Sequence, residues 1–235
     1  MTNIDKVRSV SIWIFIIPFL AVNTCLIIVT NFHEILEPGV PINPTFPYFD
    51  GEVSISRTVR DYPLYLIFKP AMFITSFLLV HYWLNTKKII NFFDENYIHT
   101  KKIIFFGIGS AILLTIHSIF LGIKFDNDLY KLFRRVIMLS FIIFEIVAQA
   151  YLVATFYSFR DKLKNFINMK FLNLKIILVS ILIIVALISI PIISLPGNDF
   201  MGFNLKFLKH ALEWDYFLGV ISFYLLTFLM WKKSN

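Results

Sequence analysis

Long apolar segments separated by short polar ones make up most of this chain. A helix needs roughly 20 apolar residues to cross a hydrocarbon core of about 30 Å, and six segments reach that length. They cover residues 10–31, 63–84, 102–123, 132–157, 174–195 and 209–231. The pattern predicts an all-α fold in which residues 1–235 form a single transmembrane domain of six helices, with a proline-rich outer loop at 32–62.

The distribution of Lys and Arg predicts how the helices are oriented. With the N-terminus on the cytoplasmic side, thirteen of the 22 Lys and Arg residues fall in inner segments, eight fall in outer ones, and Lys69 lies within a helix. Inner loops of membrane proteins are enriched in positive charge. We therefore predict that both termini are cytoplasmic.

Composition excludes several classes of protein. Charged residues make up 16% of the chain, against about a quarter in a soluble domain. The net charge of +7 comes from residues between apolar segments, so it predicts orientation in the membrane and no nucleic-acid partner. Cys25 is the single cysteine, and the five histidines lack metal-ligand spacing. We expect no metal and no cofactor. The sequence carries no recognisable catalytic motif, which favours a protein that is not an enzyme.

Ionisable residues inside the predicted helices are the candidate functional residues, because such groups are costly in a membrane and normally face a partner. Counted by helix rise, Lys69, His117 and Glu213 share one layer, ~6–10 Å below the outer surface. This layer predicts either an outward-opening pocket for a lipid headgroup or small solute, or a set of residues that form ion pairs and hydrogen bonds with one another between helices. For His117 a hydrogen bond to a neighbouring helix is the favoured interpretation. A catalytic role for the three together stays open.

Glu145 lies deeper, near the midplane, and Gln149 follows one turn later on the same face of the helix. This pair is interpreted either as a contact that holds helices together or as a functional carboxylate.

Two segments carry a resemblance to a known family. The first is Glu52-Val53-Ser54-Ile55-Ser56, followed by Asp61-Tyr62-Pro63, and the second is Ala211-Leu212-Glu213-Trp214. With six helices and a long first outer loop, the chain resembles the FRAG/DRAM/SFK family, which includes FGF-receptor-activating protein, damage-regulated autophagy modulators and post-GPI-attachment factors. The resemblance marks Ser54, Ser56, Pro63, Glu213 and Trp214. It implies a role in lipid handling and leaves GPI as a substrate open.

Three functions follow as hypotheses. The first is a lipid-associated multi-pass protein that binds or remodels a headgroup at the outer polar pocket. The second is a small-solute or proton-coupled transporter with Glu145 and Glu213 as titrating groups, which requires a water-filled path between them. The third is a structural subunit that binds partner membrane proteins. The expected partners are membrane lipids. The expected location is an endomembrane (Golgi, ER or lysosome) in a eukaryote, or the inner membrane in a bacterium.

Overall fold

The computed structural model of the protein describes residues 3–32, 36, 42–123, 127–194, 199–200 and 203–233. It confirms the all-α class, with six helices that are long and apolar enough to cross a membrane. These are α1 (Asn3–Asn31), α3 (Tyr65–Phe93), α4 (Thr100–Phe120), α5 (Asp128–Ser158), α7 (Met169–Ser194) and α8 (Leu205–Met230). Four short elements complete the described fold: helices α2 (Ile55–Val59) and α6 (Arg160–Leu163), and the antiparallel strand pair β1 (Asp199–Phe200) and β2 (Phe203–Asn204).

The six long helices form a closed ring. Helix α1 packs against α3 and α8, α3 packs against α4, and α4 packs against α5. Helix α7 closes the ring because it packs against both α5 and α8. Side chains that face the centre of the ring are thereby shielded from the surroundings.

The outside of the bundle is apolar. Large side chains point outward from helices all around the ring, including Phe77 (71% exposed), Phe105 (64%) and Leu187 (64%). A water-soluble monomer rarely exposes so extensive an apolar surface, whereas lipid chains solvate it. The protein is therefore an integral, multi-pass membrane protein.

Several helices extend beyond the apolar segments that predicted them. Helix α3 continues to Phe93, past the predicted end at residue 84, and α7 begins at Met169 instead of residue 174. Hydropathy marks where a helix leaves the hydrocarbon, but backbone hydrogen bonding continues through polar residues such as Lys87. One consequence is that Lys175 lies well inside α7.

Residues 42–64, here called the cap segment, cover one end of the ring. We call this the outer end, following the predicted orientation; residues 33–35 and 37–41 of the predicted outer loop lie outside the described residues. Ser54 begins α2 as its N-cap, and its hydroxyl accepts a hydrogen bond from the Arg57 amide at 3.2 Å. Gly51 has φ of +62°, and a Cβ there would lie 1.8 Å from the Phe207 carbonyl oxygen. Only glycine lets the cap segment approach α8 so closely.

Candidate ligand site inside the bundle

A cavity of about 90 Å³ lies between α1, α3, α4, α5 and α8. Most of its wall is apolar, and Ile55 of the cap segment lies at its outer end. His117, Glu145 and Glu213 also line it. Along α8, the wall runs from Glu213 to Tyr224, which at 1.5 Å per residue is about 16 Å. The cavity thus joins the predicted outer polar layer to the midplane carboxylate.

Glu145 is fully buried and accepts hydrogen bonds from three side chains on three helices. Ser110 of α4 donates to Oε2, and Tyr224 of α8 donates to Oε1. Gln149 donates to Oε1 at 3.1 Å and also to the Val220 carbonyl oxygen at 3.1 Å. The predicted contact between Glu145 and Gln149 is therefore present. Together with the bonds to Ser110, Tyr224 and Val220, it joins α4, α5 and α8 at one level of the membrane.

Glu213 holds the cap segment. Its carboxylate accepts hydrogen bonds from the backbone amides of Ile55 and Ser56, at the start of α2. On the same end of α8, the Trp214 indole Nε1 donates to the Val53 carbonyl oxygen at 2.8 Å. These contacts hold the cap segment over the outer end of the cavity.

His210 adds a third contact between α8 and the cap segment. Its Nδ1 lies 2.9 Å from the Gly51 carbonyl oxygen. His210, Glu213 and Trp214 therefore all bind the cap segment between residues 51 and 56, and together we call them the latch.

Outside the membrane, Asp50 stabilises the turn that leads into the latch. Its carboxylate accepts hydrogen bonds from the Thr45 hydroxyl at 2.7 Å and from the amides of Phe46 (2.7 Å) and Glu52 (3.0 Å). Slight burial acts to raise the pKa of Asp50, but these hydrogen bonds to the ionised form outweigh it and hold the pKa below its ordinary value.

Two buried nitrogen atoms near the outer end of the bundle lack hydrogen-bond partners among the described residues. They are Nδ1 of His117 on α4 and Nε of Arg134 on α5. The two side chains are close enough to interact electrostatically, and Met138, one turn below Arg134, lines the cavity. Buried polar atoms are nearly always paired, so two unpartnered nitrogen atoms, one of them on a residue that lines the cavity, indicate a place for a ligand.

The outer half of α5 packs loosely beside this point. None of the described side chains from Leu132 to Phe144 is buried, whereas Glu145 and Ile146 below them are. Since Met138 and Phe141 from this half line the cavity, the cavity wall here is also the lipid-facing side of the bundle.

Lys69 does not join the residues it was predicted to accompany. Its Nζ lies 3.3 Å from the Ile119 carbonyl oxygen and 5.5 Å from the centre of the Tyr65 ring. It is not among the residues that line the cavity, and no salt bridge among the described residues joins it to Glu213. Helix rise placed the two at similar depth, but depth alone does not give the direction of a side chain around its helix.

Sequence reasoning missed the buried lysine of α7. Lys175 is 0% exposed, and its Nζ donates to the Thr227 hydroxyl at 2.8 Å and lies 3.8 Å from the centre of the Phe223 ring. No salt bridge found among the described residues involves it. Placing the start of the helix at residue 174 made Lys175 an edge residue, which hid its position inside the bundle.

The positions marked by the family resemblance meet in space, with one exception. Ser54 and Ser56 flank the start of α2, where Glu213 and Trp214 bind the cap segment. Pro63 lies further along, before the start of α3.

The sequence matches no protein-family model, and comparison with curated proteins and with solved structures gave no match.

Proposed function

We propose that this protein binds a phosphate-bearing membrane lipid, with the headgroup at the outer end of the cavity and the apolar chains along the outer half of α5. The observation that carries the proposal is a pair of buried, unpartnered nitrogen atoms. One is His117 Nδ1, on a residue that lines the apolar cavity, and the other is Arg134 Nε, on a residue that lies outside the lining but interacts electrostatically with His117.

The chemistry of these two residues favours an anionic oxygen. An arginine guanidinium forms strong, directional hydrogen bonds with phosphate, and an imidazole N–H adds a second donor nearby. The apolar wall around Met138 and Phe141 suits an acyl chain, and the loose packing of α5 supports entry from the bilayer. Glu213 then serves to position the cap segment over the headgroup, since its carboxylate is already bonded to backbone amides.

The resemblance to the FRAG/DRAM/SFK family supports the same class of function. Its marked positions Ser54, Ser56, Glu213 and Trp214 lie where the cap segment meets α8, and Glu213 also lines the cavity, so lipid handling would involve this end of the bundle. We extend the proposal to an endomembrane location in a eukaryote and to the inner membrane in a bacterium.

Mass spectrometry of lipids retained after purification in a mild detergent tests the proposal. Wild type is compared with Arg134→Gln and His117→Leu, which remove the two donors. We expect the wild type to retain one phospholipid class above its share of the membrane, and both variants to lose that enrichment.

The matched control is Arg135→Gln, which removes the same charge from the neighbouring, exposed position. Lys69→Met is a second control, because the Lys69 amine already has a partner in the Ile119 carbonyl oxygen. Both controls should retain the enriched lipid. If all five proteins carry the same bulk mixture of lipids, the proposed function is wrong.

A further inference from the structure

The buried amine of Lys175 lies among hydroxyl groups in the inner half of the bundle. Thr227, which accepts its hydrogen bond, is fully buried, as are Tyr82 and Thr86 on α3. The Tyr82 hydroxyl lies close to the hydroxyls of Thr227 and Thr86. Neither Tyr82 Oη nor Thr86 Oγ1 has a hydrogen-bond partner among the described residues.

Tyr224 connects this inner cluster to the midplane. Its hydroxyl donates to Glu145, and its ring packs edge-on against Tyr82 with ring centres 4.9 Å apart. On α8, Tyr224 and Thr227 are three residues apart, so they lie on one face of the helix about 4.5 Å apart along its axis. Buried hydroxyl groups thus lie between the Glu145 carboxylate and the Lys175 amine.

The break in this series lies at Tyr82. Its unpartnered hydroxyl and that of Thr86 stand between the two hydrogen-bonded pairs, Glu145–Tyr224 and Thr227–Lys175. Buried water in proteins commonly bonds to polar groups that otherwise have no partner, and a bridging water is nearly as favourable as a direct hydrogen bond. A water molecule bonded to these two hydroxyls would complete the series.

We propose that Glu145, Tyr224, Tyr82, Thr227 and Lys175 form a proton relay that carries protons between the cavity and the inner half of the bundle. In the direction in which the hydrogen bonds point, an N–H bond of the Lys175 ammonium breaks and an O–H bond forms on the Glu145 carboxylate. Each hydroxyl and the bridging water accept one proton and release another. Lys175 becomes an uncharged amine and Glu145 a carboxylic acid, and rotation of the hydroxyls resets the relay.

The relay and the cavity together cover most of the thickness of the membrane. From Glu213 to Thr227 is fourteen residues of α8, or about 21 Å of a hydrocarbon core of about 30 Å. The inference does not depend on what occupies the outer end of the cavity, since its residues are separate from Arg134 and His117.

Proton flux through the reconstituted full chain tests the relay. Phosphatidylcholine vesicles hold a fluorescent pH indicator, valinomycin and potassium clamp the potential, and an acid pulse is applied outside. We expect wild-type vesicles to acidify faster than protein-free vesicles. Tyr224→Phe and Lys175→Met should return the rate to that of protein-free vesicles. Equal rates for wild-type and protein-free vesicles would overturn the proposal.

Matched controls separate the relay from general damage to the bundle. Tyr216→Phe removes a hydroxyl from the same helix, but one that bonds to Ser189 away from the relay. Lys170→Met removes an exposed amine from the same helix as Lys175. Both controls should conduct like wild type. Conduction by Tyr224→Phe at the wild-type rate would contradict the relay.

A stability measurement tests whether the two ends of the relay are coupled. Glu145→Gln and Lys175→Met each leave the other ionisable group alone in the bundle, whereas the double variant removes both. Thermal unfolding in detergent, followed by tryptophan fluorescence, should therefore show a smaller fall in Tm for the double variant than the sum of the single falls. Additive shifts in Tm would show that the ends are independent and would overturn the relay.

Discussion

Replacing Gly51 with alanine is expected to release the cap segment from α8. The added Cβ would lie 1.8 Å from the Phe207 carbonyl oxygen and 3.0 Å from the Ala211 amide nitrogen, both of which are backbone atoms that cannot rotate away. A Cβ in the left-handed conformation at φ of +62° also costs roughly 1–2 kcal/mol. The cap segment therefore has to move away from α8, which breaks the hydrogen bond between His210 and Gly51.

The magnitude follows from the contacts that this movement breaks. The hydrogen bonds from His210 to Gly51 and from Trp214 to Val53 are each expected to contribute about 0.5–1.5 kcal/mol. With the backbone cost, the total is roughly 2–5 kcal/mol. Each 1.4 kcal/mol is tenfold in an equilibrium constant, so opening of the cap segment should become more favourable by roughly 30-fold or more.

Hydrogen–deuterium exchange in detergent measures this opening directly. The amides of Ile55 and Ser56, which donate to Glu213, should exchange faster in Gly51→Ala, while amides in the centres of α3 and α4 should not change. Gly219→Ala is the matched control on α8, because its Cβ would meet only the end of the Leu182 side chain, at 2.7 Å. Unchanged exchange at residues 55–56 in Gly51→Ala would refute the assignment of the latch.

Three further outcomes are expected. Because the folded-state pKa of Asp50 lies below its ordinary value, its stabilisation of the turn is present above the unfolded pKa of about 3.9 and is lost as the pH falls through the folded value; relative to the intrinsic exchange rate at each pH, protection of the cap amides should fall on acidification in wild type and should not depend on pH in Asp50→Asn. Gly107→Leu should lower Tm strongly, since even a Cβ at Gly107 would lie 2.4 Å from the Trp83 ring. A fall in Tm no larger than that caused by a substitution at an exposed position would show that the Trp83 ring can move aside. Lys69→Met and Glu213→Gln should be additive in unfolding free energy to within about 0.3–0.5 kcal/mol, because no described salt bridge joins them; a larger coupling would show that they pair.

Hydropathy predicted the number and approximate positions of the six helices because each must match the thickness of the membrane. The ends of α3 and α7 were wrong by up to nine residues at Phe93 and five at Met169. Beyond the hydrocarbon, the polarity of a segment no longer depends on whether it is helical. Hydropathy therefore locates the membrane and not the full helix.

Local spacing predicted contacts within a helix but not between helices. Glu145 and Gln149 are four residues apart on α5, so their contact followed from helix geometry. The donors Ser110 and Tyr224 come from other helices, and their approach depends on how those helices are rotated. The same rotation directs Lys69 away from Glu213, which no spacing within one helix reveals.

The position of α8 in the chain has a consequence for biogenesis. Helix α8 follows the other five spans in chain order, yet it supplies Glu213 to the cap segment, Tyr224 to Glu145 and Thr227 to Lys175. During synthesis the carboxylate and the amine enter the membrane before their α8 partners exist. A nascent chain without α8 therefore carries an amine that lacks its Thr227 partner and a carboxylate that keeps Ser110 and Gln149 but lacks Tyr224. Insertion of this helix is the step at which the bundle matures.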